Sequence, residues 1–117
     1  MTNIKRITAN LATDDVTGLR GFYVELFNMD VVMDIGWITT LQGQSQTPVQ
    51  LSIAYEGGSG TQVPDLSIEV DDIDAVHSKA QDMKCEIVYP LTDEPWGVRR
   101  FYLVDPIGRV LNILVHL

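Results

Sequence analysis

The sequence predicts an α+β fold in which one strand–helix–strand unit occurs twice. Three observations carry that expectation. First, "NLATDDVTGLRGFYVELFNMDVV" (Asn10 to Val32) and "IEVDDIDAVHSKAQDMKCEIVYP" (Ile68 to Pro90) share one order of parts: a strand, an acidic pair, a helix, a polar break and another strand. Their acidic pairs, Asp14-Asp15 and Asp71-Asp72, lie 57 residues apart, close to half of the 117-residue chain. That spacing means duplication of one unit, whereas a solenoid needs at least three repeats. Second, each copy holds one amphipathic stripe of helical period. Third, the segments around the helices alternate with period two, as half-buried strands do.

The elements follow in order. In "RITANLAT" Ile7, Ala9 and Leu11 oppose Arg6, Thr8 and Asn10. Asp14 and Asp15 then suit a helix N-cap, where a carboxylate accepts free backbone N–H groups and meets the positive end of the helix dipole. Leu19, Phe22, Tyr23, Leu26 and Phe27 form the first stripe, expected to pack on a sheet. Trp37 stands in "DIGWITTL", and "GQSQTP" joins two strands. In "VQLSIAY" Val49, Leu51 and Ile53 oppose Gln50, Ser52 and Ala54. The Gly- and Ser-rich "YEGGSGTQVPD" connects the two units.

In the second copy Leu66, Ile68 and Val70 oppose Asp65, Ser67 and Glu69. Asp71 and Asp72 precede a narrower stripe of Ile73, Val76, Ala80 and Met83. In "VRRFYLV" Arg100 and Tyr102 point one way and Arg99, Phe101 and Leu103 the other. "DPIG" (Asp105 to Gly108) has proline second and glycine fourth, as a type I turn prefers. It leads into "RVLNILV", where Leu111, Ile113 and Val115 oppose Val110, Asn112 and Leu114.

Composition bounds the function. The chain is 45% apolar and of a length for one domain, so a separate regulatory domain is not expected. Eight Lys plus Arg against sixteen Asp plus Glu give a net charge of −8. Such a surface repels polyanions, and no basic face is present to neutralise phosphates, so nucleic acid is not an expected partner. No run approaches the roughly 18 to 20 apolar residues of a membrane span, and no membrane partner is expected. Cys85 has no second cysteine to pair with, and "MTNIKRITANL" has no signal-like apolar run. Both point to a reducing, cytoplasmic setting. With no neighbouring base or cation to activate it, Cys85 reads as an inert core thiol.

The helix "FYVELFNMDVV", the half-chain repeat and above all "RFYLVDPIGRVLNIL" resemble the vicinal oxygen chelate superfamily of glyoxalases, extradiol dioxygenases and bleomycin-resistance proteins. The resemblance covers residues 1–117 as a single domain. It implies two βαβββ modules, about 1–57 and 64–117, pairing into a sheet-lined cleft. It also implies a divalent metal held by His and Glu side chains on the semi-polar face of the strands. In this sequence those positions carry Thr8, Gln50, Asp65 and Asn112. Only one of the four is ionised and none is an imidazole, so no metal and no catalytic residue are expected. Asp65 and Gln50 are the weak metal candidates. The two histidines lie elsewhere: His77 in the second helix, expected to be solvated, and His116 at a strand end.

The same face suits a small molecule. Trp37, Trp96, Arg100 and Tyr102 offer stacking surface and one fixed cation, and Thr8, Gln50, Ser52 and Asn112 offer placed polar groups. Trp37 reads equally as a core residue. Asp93 or Glu94 stands ready to neutralise Arg99 or Arg100, which would leave the face without its cation. The resemblance therefore implies a non-catalytic protein binding an antibiotic or aromatic metabolite, nearest to the bleomycin-resistance branch, and a homodimer. The alternatives are a metal-dependent lyase, isomerase or dioxygenase with an atypical site, and an interaction or regulatory subunit.

Overall fold

The computed structural model describes residues 2–47 and 49–117; Pro48, the last residue of the "GQSQTP" connector, lies outside them. In chain order the elements are β1 (Ile4–Ala12), α1 (Val16–Phe27), β2 (Asp30–Asp34), β3 (Ile38–Gln42), β4 (Gln50–Ala54), β5 (Leu66–Val70), α2 (Ile73–Asp82), β6 (Glu86–Asp93), β7 (Val98–Val104) and β8 (Val110–His116). This is the mixed α+β, twice-repeated architecture read from the sequence. The chain forms two compact units, Thr8–Val63 and Met1–Ile7 with Pro64–Leu117. The first residues thus group with the C-terminal unit, where the main chain and side chain of Asn3 both donate to Asp71 and Arg6 pairs with Glu69.

Both helices start where the acidic pairs place them. Asp15 caps α1 by accepting the Gly18 N–H at 2.9 Å, and Asp72 caps α2 by accepting the Ala75 N–H at 3.1 Å. Asn28, in the left-handed region at φ 54°, ends α1, a conformation asparagine tolerates better than most residues.

In the N-terminal unit β2, β3 and β4 are antiparallel, and β4 pairs in parallel with Ala9–Ala12 of β1. Leu41 and Ile53 are its most buried apolar side chains, and α1 packs mainly on β3 and β4. The stripe expected of α1 is only partly used. Val16, Leu19, Arg20, Tyr23 and Val24 are half-buried, whereas Phe22, Leu26 and Phe27 are 56%, 60% and 58% exposed. At 100° per residue the covered arc is turned by about 60° from the stripe. The Arg20 guanidinium lies within that covered arc, bonded to Asp34 at the end of β2 at 2.9 Å. β1 also departs from expectation, since Thr8 is its buried residue while Ile7 is 52% exposed.

The C-terminal unit pairs β5 with β8 in parallel and β8, β7 and β6 as an antiparallel meander. Val70, Ile73, Ala80, Phe101 and Ile113 form its core beneath α2, with Cys85 packed at the margin. Met83 is an exception within the second stripe: as the C-cap residue it points off the end of α2 and is exposed. His77 is half-buried and meets the Phe101 ring edge-on at 4.9 Å, so it is a packing residue and not the solvated one expected. The "DPIG" turn closes the β7–β8 hairpin. Gly108 donates to the Asp105 carbonyl at 3.0 Å, and its φ of 91° suits glycine alone.

Candidate functional site

Every site residue of the C-terminal unit stands on the sheet face away from α2. Cross-strand register shows it: Phe101 opposes Ile113 in the core, so their neighbours Tyr102 and Asn112 oppose each other on the other face. Ser67 continues that row on β5, and Tyr89 faces Tyr102 on β6. The next row holds Glu69, Leu114 and Arg100.

Arg100 is the centre of this face. Its side chain and that of Glu94 are each only 3% exposed, and its Nε donates to Glu94 Oε2 at 2.6 Å. Its Nη1 donates to the Tyr102 hydroxyl at 2.9 Å, and the Tyr89 hydroxyl donates to the same Glu94 oxygen at 2.9 Å. The guanidinium carbon sits 5.1, 5.0 and 5.0 Å from the ring centres of Tyr89, Trp96 and Tyr102. The turn between β6 and β7 brings Trp96 there. Glu94 and Val98 close it through a 2.8 Å main-chain bond, and Gly97 supplies a φ of 90°. Three rings and one carboxylate therefore box in the cation. Removing two charges from water is costly, and short charge-assisted bonds with cation–π contacts offset that cost.

This geometry answers the question of charge raised by the sequence. Trp96, Arg100 and Tyr102 do come together, but the positive charge of Arg100 is countered internally by Glu94. Arg99, on the α2 side, is likewise paired with Asp93 at 2.6 and 3.1 Å. The hydrogen bond and charge of Arg99 hold the Asp93 carboxyl below its ordinary value, and Asp93 in turn raises Arg99. Glu69 accepts from Arg6 at 3.1 Å and from His116 Nδ1 at 2.8 Å. Burial alone would raise the Glu69 carboxyl, but the His116 hydrogen bond and the Arg6 charge together bring it below its ordinary value.

Asn112 differs from these satisfied groups. It is 8% exposed, and its amide nitrogen donates to Ser67 Oγ at 3.1 Å. Among the described residues no group donates to its buried Oδ1. A buried acceptor without a partner costs about 1–3 kcal/mol, so Asn112 is, among the described residues, the one polar side chain of this face whose burial is not offset by its own bonds.

The remaining candidates lie in the N-terminal unit. Thr8 is buried on β1, and the amide of Gln50 donates to Gln42 Oε1 at 2.8 Å. The Ser52 hydroxyl is bonded to that of Thr40 at 2.8 Å. Trp37 is half-buried just before β3, and its carbonyl accepts the Tyr55 N–H. An open groove of about 680 Å³ lined by Ala12, Thr13, Asp14 and Tyr55 contains none of the ligand-site candidates read from the sequence. Ser67 and Tyr89 also join the site without having been singled out. The alternation of "DLSIEV" already puts Ser67 opposite the apolar set, whereas two register shifts in β6 obscure the facing of Tyr89.

The residues present do not fit a divalent metal. Thr8, Gln50 and Asn112 are neutral, and the one carboxylate, Asp65, accepts the Val110 N–H at 2.8 Å at the head of β8. No group of three or more His, Cys, Asp or Glu side chains among the described residues is placed to hold such an ion. A metal that activates substrate needs anionic or imidazole donors, and this set offers one carboxylate already in structural use. No helix among the described residues is long and apolar enough to cross a membrane.

Several solved structures share the fold. An NAD-dependent benzaldehyde dehydrogenase from Legionella pneumophila superposes with a TM-score of 0.75 at 18% identity, covering 96% of this chain and 100% of that one. A glyoxalase/bleomycin resistance protein/dioxygenase superfamily member from Vibrio splendidus 12B01 gives 0.68 at 16%, covering 97% and 99%. Methylmalonyl-CoA epimerase from Mycobacterium tuberculosis gives 0.61 at 16%, covering 97% and 87%. At these identities the likeness is one of fold. No curated protein matches the chain. Residues 7–117 match the glyoxalase-like domain across nearly the whole sequence, and the chain therefore belongs to the glyoxalase-like family of the vicinal oxygen chelate superfamily.

Proposed function

We propose that this protein is a metal-free, non-catalytic member of the superfamily that binds a small aromatic molecule, an antibiotic or an aromatic metabolite, and works as a cytoplasmic homodimer. The observation that carries the reading is the donor set: Thr8, Gln50 and Asn112 are neutral where the superfamily holds its metal, and Asp65 is spent on a main-chain N–H. Aromatic rings and placed polar groups on the helix-free face of the C-terminal unit are the usual lining of a small-molecule site. Arg100 shapes that lining by fixing Trp96, Tyr89 and Tyr102, and its role is to hold the wall in place. The apolar side chains left exposed on α1 support a homodimer, since a second copy would remove them from water.

The test is tryptophan fluorescence of the full chain titrated with planar antibiotics, cationic glycopeptides and aromatic metabolites. Saturable quenching that is lost in Trp96→Phe is expected. A flat response across the whole set, from protein shown to be folded, would remove the support for this reading.

A further inference from the structure

The open groove of the N-terminal unit is a second place where a ligand fits. It lies at the carboxyl ends of two parallel strands, where Ala12 of β1 pairs with Ala54 of β4 and the chain turns towards α1. Ala12, Thr13, Asp14 and Tyr55 line it, and Tyr55 is 56% exposed. The internal repeat shows what its acid is suited to hold. Asp14 and Asp15 correspond to Asp71 and Asp72, and the second acid of each pair caps its helix. The first acids differ. Asp71 accepts two N–H donors from Asn3, one on each carboxylate oxygen, at 2.9 and 3.1 Å. Asp14 is exposed and has no hydrogen bond or ion pair among the described residues.

Charge decides between neutral and cationic donors. Residues 8–63 hold Asp14, Asp15, Glu25, Asp30, Asp34 and Glu56 against a single Arg20 and no Lys, and Asp34 already engages that arginine at 2.9 Å. An anion is repelled there, whereas a planar cation with two parallel N–H groups matches a carboxylate through two charge-assisted bonds. The face of the Tyr55 ring attracts the same positive charge. We infer that this groove binds a small planar cation of the amidinium or guanidinium class, held by Asp14 and stacked on Tyr55, at a site that shares no residue with the one proposed above.

Benzamidine, benzamide and benzoate share one ring and a planar head group and differ in charge, so they isolate it. Each is titrated at millimolar concentrations into the ¹⁵N-labelled full chain. Benzamidine alone is expected to shift the backbone amides of Thr13, Asp14 and Tyr55 saturably, and about 0.5 M salt should weaken it. Asp14→Asn should weaken benzamidine about five-fold and Tyr55→Leu about three-fold, with the rest of each spectrum unchanged because both side chains are exposed.

Benzamidine affinity unchanged in Asp14→Asn would overturn the inference, as would equal shifts of those amides by benzamide or benzoate. Silence of the three amides toward benzamidine also overturns it. Shifts that follow protein concentration without any probe would place a second copy in the groove and overturn it likewise. None of these outcomes bears on the fluorescence titrations, which test the reading of the helix-free face independently.

Discussion

Replacing Glu94 with alanine leaves the Arg100 guanidinium in its ring box with no counter-charge. Both side chains are 3% exposed and their contact is 2.6 Å, so neither can be rehydrated without opening the β6–β7 turn. Removing one member of a buried pair typically costs about 3–5 kcal/mol. The three rings at 5.0 to 5.1 Å still stabilise the cation, which places the expected loss near the lower end, about 3 kcal/mol. With a urea slope of about 1.5 kcal/mol/M, the unfolding midpoint should fall by about 2 M at an unchanged slope. The double variant Glu94→Leu/Arg100→Met should recover only part of that loss, because two apolar groups in place of a buried pair are close to neutral while the Tyr89 and Tyr102 hydroxyls lose their bonds to that pair. A loss under about 1 kcal/mol for Glu94→Ala is the behaviour of a solvated surface pair. It would refute the claim that Arg100 is held within the protein and would return it to the list of cations open to a ligand.

Three further outcomes follow from the same contacts. Asn112→Leu removes an unmatched acceptor, which costs about 1–3 kcal/mol, together with one ordinary hydrogen bond to Ser67. Its stability should lie between unchanged and about 2 kcal/mol higher by thermal unfolding, and a clear loss would show that Asn112 is a structural residue. The Glu69 carboxyl lies below its ordinary value of 4.5 in the folded chain, so its stabilisation is present above that pH and is lost as pH falls through the folded value. The stability gap between wild type and Glu69→Gln should therefore be larger at about pH 7 than at about pH 3, and a gap independent of pH would contradict the Arg6–Glu69–His116 arrangement. Light scattering of the wild type should give the mass of a dimer and that of Phe22→Asp/Leu26→Asp a monomer with unchanged circular dichroism. A wild-type monomer at micromolar concentration would leave the exposed face of α1 without its second copy.

The parts legible in the sequence are those set by local rules. Aspartates at the helix starts, period-two alternation in β5, β7 and β8, and the proline–glycine spacing of the hairpin turn each depend on a few adjacent residues. That alternation sufficed to place Tyr102 with Asn112 and apart from Phe101. The rotation of α1 was not legible because its packing on β3 and β4 decides it, while five apolar residues suggested a different face. The box around Arg100 was legible only in part. Trp96, Arg100 and Tyr102 are close in sequence, and Glu94 is six residues from the arginine, but nothing local decides whether a carboxylate serves its neighbour or the solvent. His77 and Phe101 are 24 positions apart, and their contact exists only once α2 lies on β7. The unmatched buried acceptor of Asn112 is a property of packing, and no sequence pattern marks it.

The metal-free reading proposed above turns on the neutral side chains of Thr8, Gln50 and Asn112. The most direct measurement is elemental analysis of protein purified without chelator, followed by calorimetric titration with zinc, manganese, nickel and magnesium. No stoichiometric metal, no saturable binding, and unfolding unchanged by chelator are expected. One bound metal ion per chain, lost in Asp65→Ala with the fold retained, would contradict it and restore the metal-dependent reading.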